Sequence, residues 1–177
     1  MKNKDYSFLK CLVTGDKLSF IGVDSEHLQN IAQKFENTYQ IKVEAFMVNE
    51  GNAYYYPICS NVLILLNGYY FKDDELATNN VSWNPFAMFN LTDKEWYKNY
   101  DKITDFKKKD ILENINNLDG SNDNLVEYLS SSGELITFLK KYSTVNIKNY
   151  IALDLDYFAL KELAENDSSI ISICCDA

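Results

Sequence analysis

The sequence predicts an α+β fold: a strand-rich N-terminal half packed with one helix, a mostly helical middle, and a mixed C-terminal strand–helix–strand. Three observations support this prediction. The first half has short apolar runs separated by turn residues, the middle has apolar residues at helical spacing, and the end returns to apolar runs around one helical pattern. This order differs from the regular alternation of an α/β fold. The 177 residues, 46% of them hydrophobic, suit a single domain spanning residues 1–177.

The first predicted elements are two strands and a helix. Residues 6–13 and 18–23 are apolar-rich, and the Thr-Gly-Asp-Lys segment between them has the composition of a hairpin turn. Asp24 or Ser25 can cap the helix that follows, which runs to about Asn37. Its apolar residues recur at i, i+3, i+4 and i+7, so one face is expected to pack inward. These inward residues are Leu28, Ile31, Ala32 and Phe35.

Further strands are predicted before the middle of the chain. Residues 40–48 begin with alternating apolar and charged side chains, as in a half-buried strand. Residues 53–58 contain Pro57, which favours a sheet edge or a strand end. Residues 62–66 are continuously apolar and form a buried strand or a short helix. An Asn-Gly pair then marks a hairpin turn before the aromatic residues 69–71.

The polar, acidic residues 73–80 are predicted to form a connector. If the domain divides into two lobes, the boundary lies here, between strand-rich residues 1–72 and helix-rich residues 81–177. A capping box opens a helix over residues 92–100. The next helix is expected over about residues 105–118, where an Asp-Gly pair marks its end.

The remaining chain is predicted to alternate between helices and strands. A short helix is expected at residues 125–129, and another at residues 134–142. Residues 147–155 have the apolar pattern of a returning strand, residues 157–165 that of a helix, and residues 169–175 that of a last strand.

The charge composition excludes several classes of partner. All 17 basic residues are lysines, and 26 acidic residues give a formal net charge of −9. Proteins that read nucleic acids usually present a basic face and use arginine for bidentate contacts. The basic run at residues 107–109 is flanked by Asp105 and Asp110, as on a solvated helix face. We therefore expect neither direct nucleic-acid binding nor attraction to an anionic membrane.

Cysteine usage and the N-terminus predict a cytoplasmic protein. The first residues are charged but are not followed by the apolar stretch of a signal peptide. The cysteines show no C-x-x-C spacing, which favours free thiols over a disulfide framework. A zinc site formed by Cys174, Cys175 and Asp176 is the less favoured alternative. The four cysteines are Cys11, Cys59, Cys174 and Cys175.

No catalytic motif is recognised, so neither an enzyme nor a cofactor is expected. The single histidine, His27, lies in the first turn of the first helix, and no glycine pair forms a phosphate-binding loop. Asp154 and Asp156 would share one face of a strand, where two carboxylates can bind Mg²⁺ or act as acid and base. The simpler interpretation is that Asp156 caps the following helix while Asp154 faces solvent.

Clustered aromatic residues next to carboxylates predict a protein-binding surface. The chain has 13 Tyr, 10 Phe and 2 Trp. Consecutive aromatics in a strand point to opposite faces, so some rings are expected to stay partly exposed, although they can also fill a core. Exposed tyrosines beside carboxylates are typical of protein interfaces. The predicted contact residues are Tyr54, Tyr55, Tyr56, Tyr69, Tyr70, Asp73, Asp74, Glu75 and Trp83.

In size, charge and these Tyr- and Asp-rich stretches, the whole chain resembles the immunity proteins of bacterial toxin–immunity systems. That class has no common fold or signature, so the resemblance assigns no residue. It implies a cognate toxin domain, often a nuclease, as the basic partner that the protein binds and neutralises. The alternatives are a phage-type inhibitor or nucleic-acid mimic, and a small metal-dependent hydrolase built on Asp154 and Asp156.

Overall fold

In the computed structural model, the described residues form a nine-stranded mixed sheet with helices on one face and the N-terminal segment on the other. The structure describes residues 4, 6–77, 84–86, 105–117, 124–130 and 133–176. The strands are β1 (Leu18–Gly22), β2 (Ala45–Asn49), β3 (Tyr54–Cys59), β4 (Val62–Ile64), β5 (Phe71–Lys72), β6 (Glu75–Leu76), β7 (Asn124–Tyr128), β8 (Asn149–Asp154) and β9 (Ile171–Cys174). The helices in this part of the chain are α1 (Glu26–Tyr39), α2 (Asp105–Asn116), α3 (Glu134–Tyr142) and α4 (Tyr157–Asn166). The α+β prediction is confirmed.

The sheet combines an antiparallel half with a parallel half. Its main strand order is β1-β2-β3-β4-β9-β8-β7, and the short β5 pairs with β3 and β6. Strands β1 to β4 are antiparallel to their neighbours, whereas β4, β9, β8 and β7 run parallel. Strand β4 joins the two halves, since Val62 lies opposite Ser172 and Ile64 opposite Cys174. Strands from before and after residues 73–80 therefore belong to one sheet.

Two hydrophobic cores lie on opposite faces of the sheet. The first lies under helices α1, α3 and α4, where Phe35, Tyr157 and Leu160 are buried against the strands. The second is covered by the N-terminal segment, through Tyr6 and Leu9. Because both faces are covered, neighbouring residues of a central strand are both buried, one in each core.

Helix α1 forms as the sequence predicts. The hydroxyl of Ser25 accepts a hydrogen bond from the backbone N–H of Leu28 at 3.2 Å, which satisfies one of the free donors of the first turn. Gln40 ends the helix in a left-handed conformation, with φ of 59°, and its N–H donates to the carbonyl of Glu36. All the predicted inward residues of this helix are buried.

The short helix predicted at residues 125–129 is wrong, because this segment is strand β7. The spacing of its apolar residues is compatible with one helical turn, but five residues are too few to fix a period. The backbone instead pairs in parallel with β8, with Leu125 opposite Tyr150 and Tyr128 opposite Leu153. Strand β7, helix α3, strand β8, helix α4 and strand β9 consequently form two consecutive crossover units.

Two other predicted segments differ from the structure, and a third lies outside the described residues. Residues 6–13 form local turns instead of a continuous strand; Leu9 N–H donates to the carbonyl of Tyr6, and only Lys10 forms a bridge. Part of the predicted connector is the β5–β6 hairpin. The predicted helix over residues 92–100 is not among the described residues.

Gly133 is required where α3 begins against α4. It is the N-cap residue of α3 and has a left-handed conformation, with φ of 71°. A Cβ added to it would lie 2.5 Å from the Cδ2 of Leu163, a residue of α4. Both the backbone conformation and the close approach of the two helices therefore favour glycine.

We expect Gly133→Ala to lower the free energy of unfolding by about 2–5 kcal/mol, because left-handed strain costs about 1–2 kcal/mol and overpacking about 1–3 kcal/mol. Gly15→Ala is the matched control, since Gly15 also has a positive φ of 74° but no atom within 4 Å of the added Cβ. Urea unfolding should show a loss of about 1–2 kcal/mol for the control. Equal losses in the two variants would contradict the helix contact as a cause.

Candidate functional site

The β5–β6 hairpin presents three adjacent carboxylates to solvent. Lys72 pairs with Glu75 across it, and Asp73 and Asp74 form its turn. Asp73 adopts a left-handed conformation, with φ of 53°, and its N–H donates to the carbonyl of Ala53 at 2.7 Å. Asp73, Asp74 and Glu75 are all exposed. We call residues 71–76 the acidic hairpin.

Two side chains of α1 hold the tip of the acidic hairpin. The ammonium of Lys34 donates to the carbonyl of Asp74 at 2.8 Å. The Nδ1 atom of His27 lies 3.2 Å from an Oδ1 carboxylate oxygen of the same aspartate. Because both α1 residues contact one turn residue, the position of the turn is set by a helix that itself packs on the core.

An open groove lies between α1 and the acidic hairpin. Its volume is about 330 Å³, and polar side chains of α1 that include Asn30 and Asn37 line it together with Asp74. The His27 ring meets the Tyr55 ring edge-on at 5.9 Å between their centroids. Burial raises the pKa of Tyr55, and the negative charges of Asp74 and Asp73 raise it further. The charges of the acidic hairpin therefore reach the Tyr55 phenol on β3, the strand with which β5 pairs.

The structure places the predicted tyrosines mainly in the two cores. Tyr55 and Tyr69 are buried in the first core, and Tyr56 and Tyr70 in the second. Only Tyr54 among these five keeps an intermediate exposure. Alternation along β3 thus sends Tyr55 and Tyr56 to opposite faces as predicted, but both faces are covered, so the expectation of exposed rings fails for four of the five.

Among the predicted contact residues that the structure describes, Asp73, Asp74 and Glu75 are therefore the ones that are both exposed and next to each other. Trp83 lies outside the described residues. Sequence reasoning missed His27 and Lys34 as neighbours of this group. The Lys34 contact joins residues 40 positions apart, and no local motif links α1 to the hairpin.

Asp154 and Asp156 are engaged in local backbone structure. A side-chain oxygen of Asp154 accepts the N–H of Asp156 at 2.9 Å. Asp156 is the N-cap of α4, and its carboxylate accepts the N–H groups of Phe158 and Ala159 at 2.9 and 3.2 Å. The predicted capping role of Asp156 is confirmed. Among the described residues, no group of three or more His, Cys, Asp or Glu side chains could hold a metal ion.

The cysteines are free and mostly buried. Cys11, Cys59 and Cys174 are buried, and Cys175 has intermediate exposure. Burial raises the pKa of the Cys59 and Cys174 thiols, and it raises the pKa of Cys175 to about 11, with the charges of Asp154 and Asp176 adding to the effect. These three thiols are therefore protonated near neutral pH and are poor nucleophiles.

Comparison of the chain with models of known families, with curated proteins and with solved structures finds no match. Within the described residues, the helices lack the combination of length and apolar character needed to cross a bilayer. Function is therefore inferred from the geometry and charge of the molecule itself.

We expect Lys34→Met to loosen the acidic hairpin while leaving the global fold intact, because methionine keeps an apolar stem but cannot donate to Asp74. Amide hydrogen exchange in residues 71–76 should accelerate about fivefold, the factor that corresponds to about 1 kcal/mol of local stabilisation. Lys161→Met is the control, since Lys161 pairs with Glu165 inside α4. Unchanged exchange in the hairpin would show that Lys34 does not restrain it.

Buried phenols make the fold sensitive to alkali. Burial raises the pKa of Tyr6 to about 12, and burial, aided by Tyr39 and Cys174, raises that of Tyr69 to about 12. Burial is also the main cause that raises the pKa of Tyr56. Unfolded phenols titrate near pH 10, so above this pH the unfolded chain loses protons that the folded chain retains.

The stabilisation that these phenols contribute should therefore be fully present below about pH 10 and be lost as the pH rises towards about 12. Lys4 acts in the opposite sense between about pH 8 and 10.5, because burial lowers its pKa to about 8 despite the opposing charge of Asp167. Urea unfolding at a series of pH values measures both effects. Tyr56→Phe should reduce the alkaline loss, whereas Tyr128→Phe, at an exposed position, should not.

Proposed function

We propose that the protein binds and neutralises a basic protein partner through the acidic hairpin, in the manner of a cytoplasmic immunity protein that blocks its cognate toxin. The observation that carries this proposal is the held turn backbone of Asp73 and Asp74, contacted by Ala53 and by α1, which presents the exposed carboxylates of the acidic hairpin. They project from a chain whose net charge is −9.

The held geometry favours tight recognition of cationic side chains. A loop that is ordered before binding loses less conformational entropy when a partner docks, so more of the electrostatic attraction remains as affinity. The overall negative charge also accelerates the encounter with a positively charged surface. Both effects are strongest for a partner with a concentrated basic patch.

A nuclease toxin is the favoured class of partner. An enzyme that binds a phosphate backbone must present lysine or arginine side chains in its cleft. Three neighbouring carboxylates on a turn with a hydrogen-bonded backbone can pair with such cations and exclude the nucleic acid. This reasoning favours occlusion of the cleft, with the hairpin tip inserted first.

The hydrolase alternative has less support. A catalytic carboxylate needs oxygen atoms directed at a substrate or metal, whereas oxygens of Asp154 and Asp156 accept hydrogen bonds from the backbone of their own turn and helix. A nucleic-acid mimic would need rows of carboxylates, but lysines are interspersed with the acids, and Lys72 lies within the acidic hairpin itself.

Capture of the tagged protein from its own cells tests the proposal directly. We expect a stoichiometric basic protein that dissociates more readily as the salt concentration rises, because screening weakens exposed charge pairs. The purified partner should lose its activity when the acidic protein is added. Absence of a basic partner, or binding that strengthens with salt, would overturn the proposal.

Charge reversal locates the contact surface. The triple variant Asp73→Lys, Asp74→Lys and Glu75→Lys should bind the partner at least about 100-fold more weakly, since three attractive pairs become repulsive. The control variant reverses the exposed Asp110, Glu113 and Glu162, which gives the same change in net charge on α2 and α4. Isothermal titration should show a small loss for the control. Equal losses would show that overall charge, not the hairpin, determines affinity.

A further inference from the structure

Among the described residues, strand β7 forms one end of the sheet and carries an exposed apolar face. Val126, Tyr128 and the following Leu129 are 41%, 64% and 76% exposed. Glu127 is turned towards the helices, where its carboxylate accepts the N–H of Ile136 in the first turn of α3 at 3.1 Å. The solvent-facing side of the strand therefore has neither lysine nor proline to block pairing with another strand.

The register of the parallel strands shows which backbone groups of β7 face outward. The carbonyl of Asp154 accepts from Cys175, so the peptide groups of this residue face β9, whereas the carbonyl of Leu153 accepts from Ser130 and faces β7. In a regular parallel ladder a residue bonds to the residues on either side of the residue opposite it. At the end of β7 the left-handed conformation of Leu129, with φ of 55°, moves this contact one residue further, to Ser130. Because Tyr128 is opposite Leu153, the N–H and C=O groups of Tyr128, Val126 and Asn124 point away from β8.

We propose that β7 pairs antiparallel with β7 of a second copy, about a two-fold axis at Val126. In this register Val126 lies opposite its own symmetry mate and Asn124 lies opposite Tyr128. The outward N–H and C=O groups of these three residues all obtain partners, which gives six hydrogen bonds across the axis. The exposed Val126 and Tyr128 side chains of both copies then share one face.

Charge and strand length select this register over its neighbours. With the axis at Val126, each Glu127 lies opposite Leu125. An axis at Glu127 would put two carboxylates directly opposite each other, and an axis at Leu125 would leave Tyr128 without an opposing residue within β7. Like charges at opposing positions are destabilising. The two-fold arrangement also closes on itself, whereas pairing β7 with the other end strand, β1, would propagate from copy to copy.

The proposed dimer leaves the acidic hairpin available. Strand β3, with which β5 pairs, is separated from β7 by β4, β9 and β8. Each dimer would therefore present two acidic hairpins. Self-association also has the opposite salt dependence to partner binding, because two copies of net charge −9 repel one another and salt screens this repulsion.

Sedimentation velocity over a dilution series tests the inference. We expect a monomer–dimer equilibrium that shifts towards the dimer as salt is raised, and Val126→Lys should abolish the dimer by opposing two ammonium groups at the axis. Phe20→Lys, on β1, makes the same charge change at the other end of the sheet and should leave the dimer intact. Circular dichroism and a second variant, Tyr128→Lys, guard against a folding defect.

Oxidative cross-linking tests the register. A Val126→Cys variant should form a disulfide-linked dimer, since paired residues at this axis lie about 5.5 Å apart between Cα atoms, a distance that disulfides span. Tyr128→Cys should not form this disulfide, because each Tyr128 lies opposite Asn124 of the other copy, four residues away from the other Tyr128. The inference would be overturned if the protein stayed monomeric at every protein and salt concentration, or if the dimer survived both lysine variants. It would also be overturned by an open-ended polymer or by equal cross-linking at positions 126 and 128.

Discussion

The parallel pairing of β4 with β9 is the interaction on which the rest of the structure depends. Strand β4, Val62 to Ile64, is the last strand of the antiparallel half, and its partner β9 is the first strand of the half formed by the crossover units. The residues of both strands are buried, so a lost backbone hydrogen bond would leave a desolvated group at a cost of about 1–3 kcal/mol. Both cores extend across this junction, with Leu63 beside Ile173 in the second core.

Small side chains next to this junction allow α4 to pack closely on the sheet. Ala152 lies opposite Ser172, and both are fully buried on the face that α4 covers, as are Leu160 and Ala164 of the helix. Among the described residues, Ser172 is one of two whose buried hydroxyl has no hydrogen-bond partner. Serine is accommodated at this position although its hydroxyl gains no hydrogen bond. This indicates that the small volume of the side chain, which lets the helix pack closely, matters more there than its polarity.

Features set by neighbours in the chain could be predicted from the sequence, and features set by distant pairing could not. Helix α1 and the cap at Asp156 follow from local spacing and hydrogen bonding. The segment beginning at Leu125 was predicted as a helix, but pairing with β8 makes it a strand. The carboxylates of the acidic hairpin were identified, but their anchoring by His27 and Lys34 depends on the packing of α1. Four of the five predicted contact tyrosines are buried because the sheet has a core on each face.

The position of the exposed charge within the fold is compatible with the proposed binding role. In sheets with parallel strands, ligands usually bind beyond the carboxyl ends of those strands. Here that edge is tied by backbone bonds from Leu65 to Cys174 and from Cys175 to Asp154, and the acids at the edge cap their own turn and helix. The acidic hairpin lies in the antiparallel half instead, with its backbone held and its carboxylates in solvent. Exposed carboxylates on a held backbone can pair with the cationic side chains of a macromolecular surface.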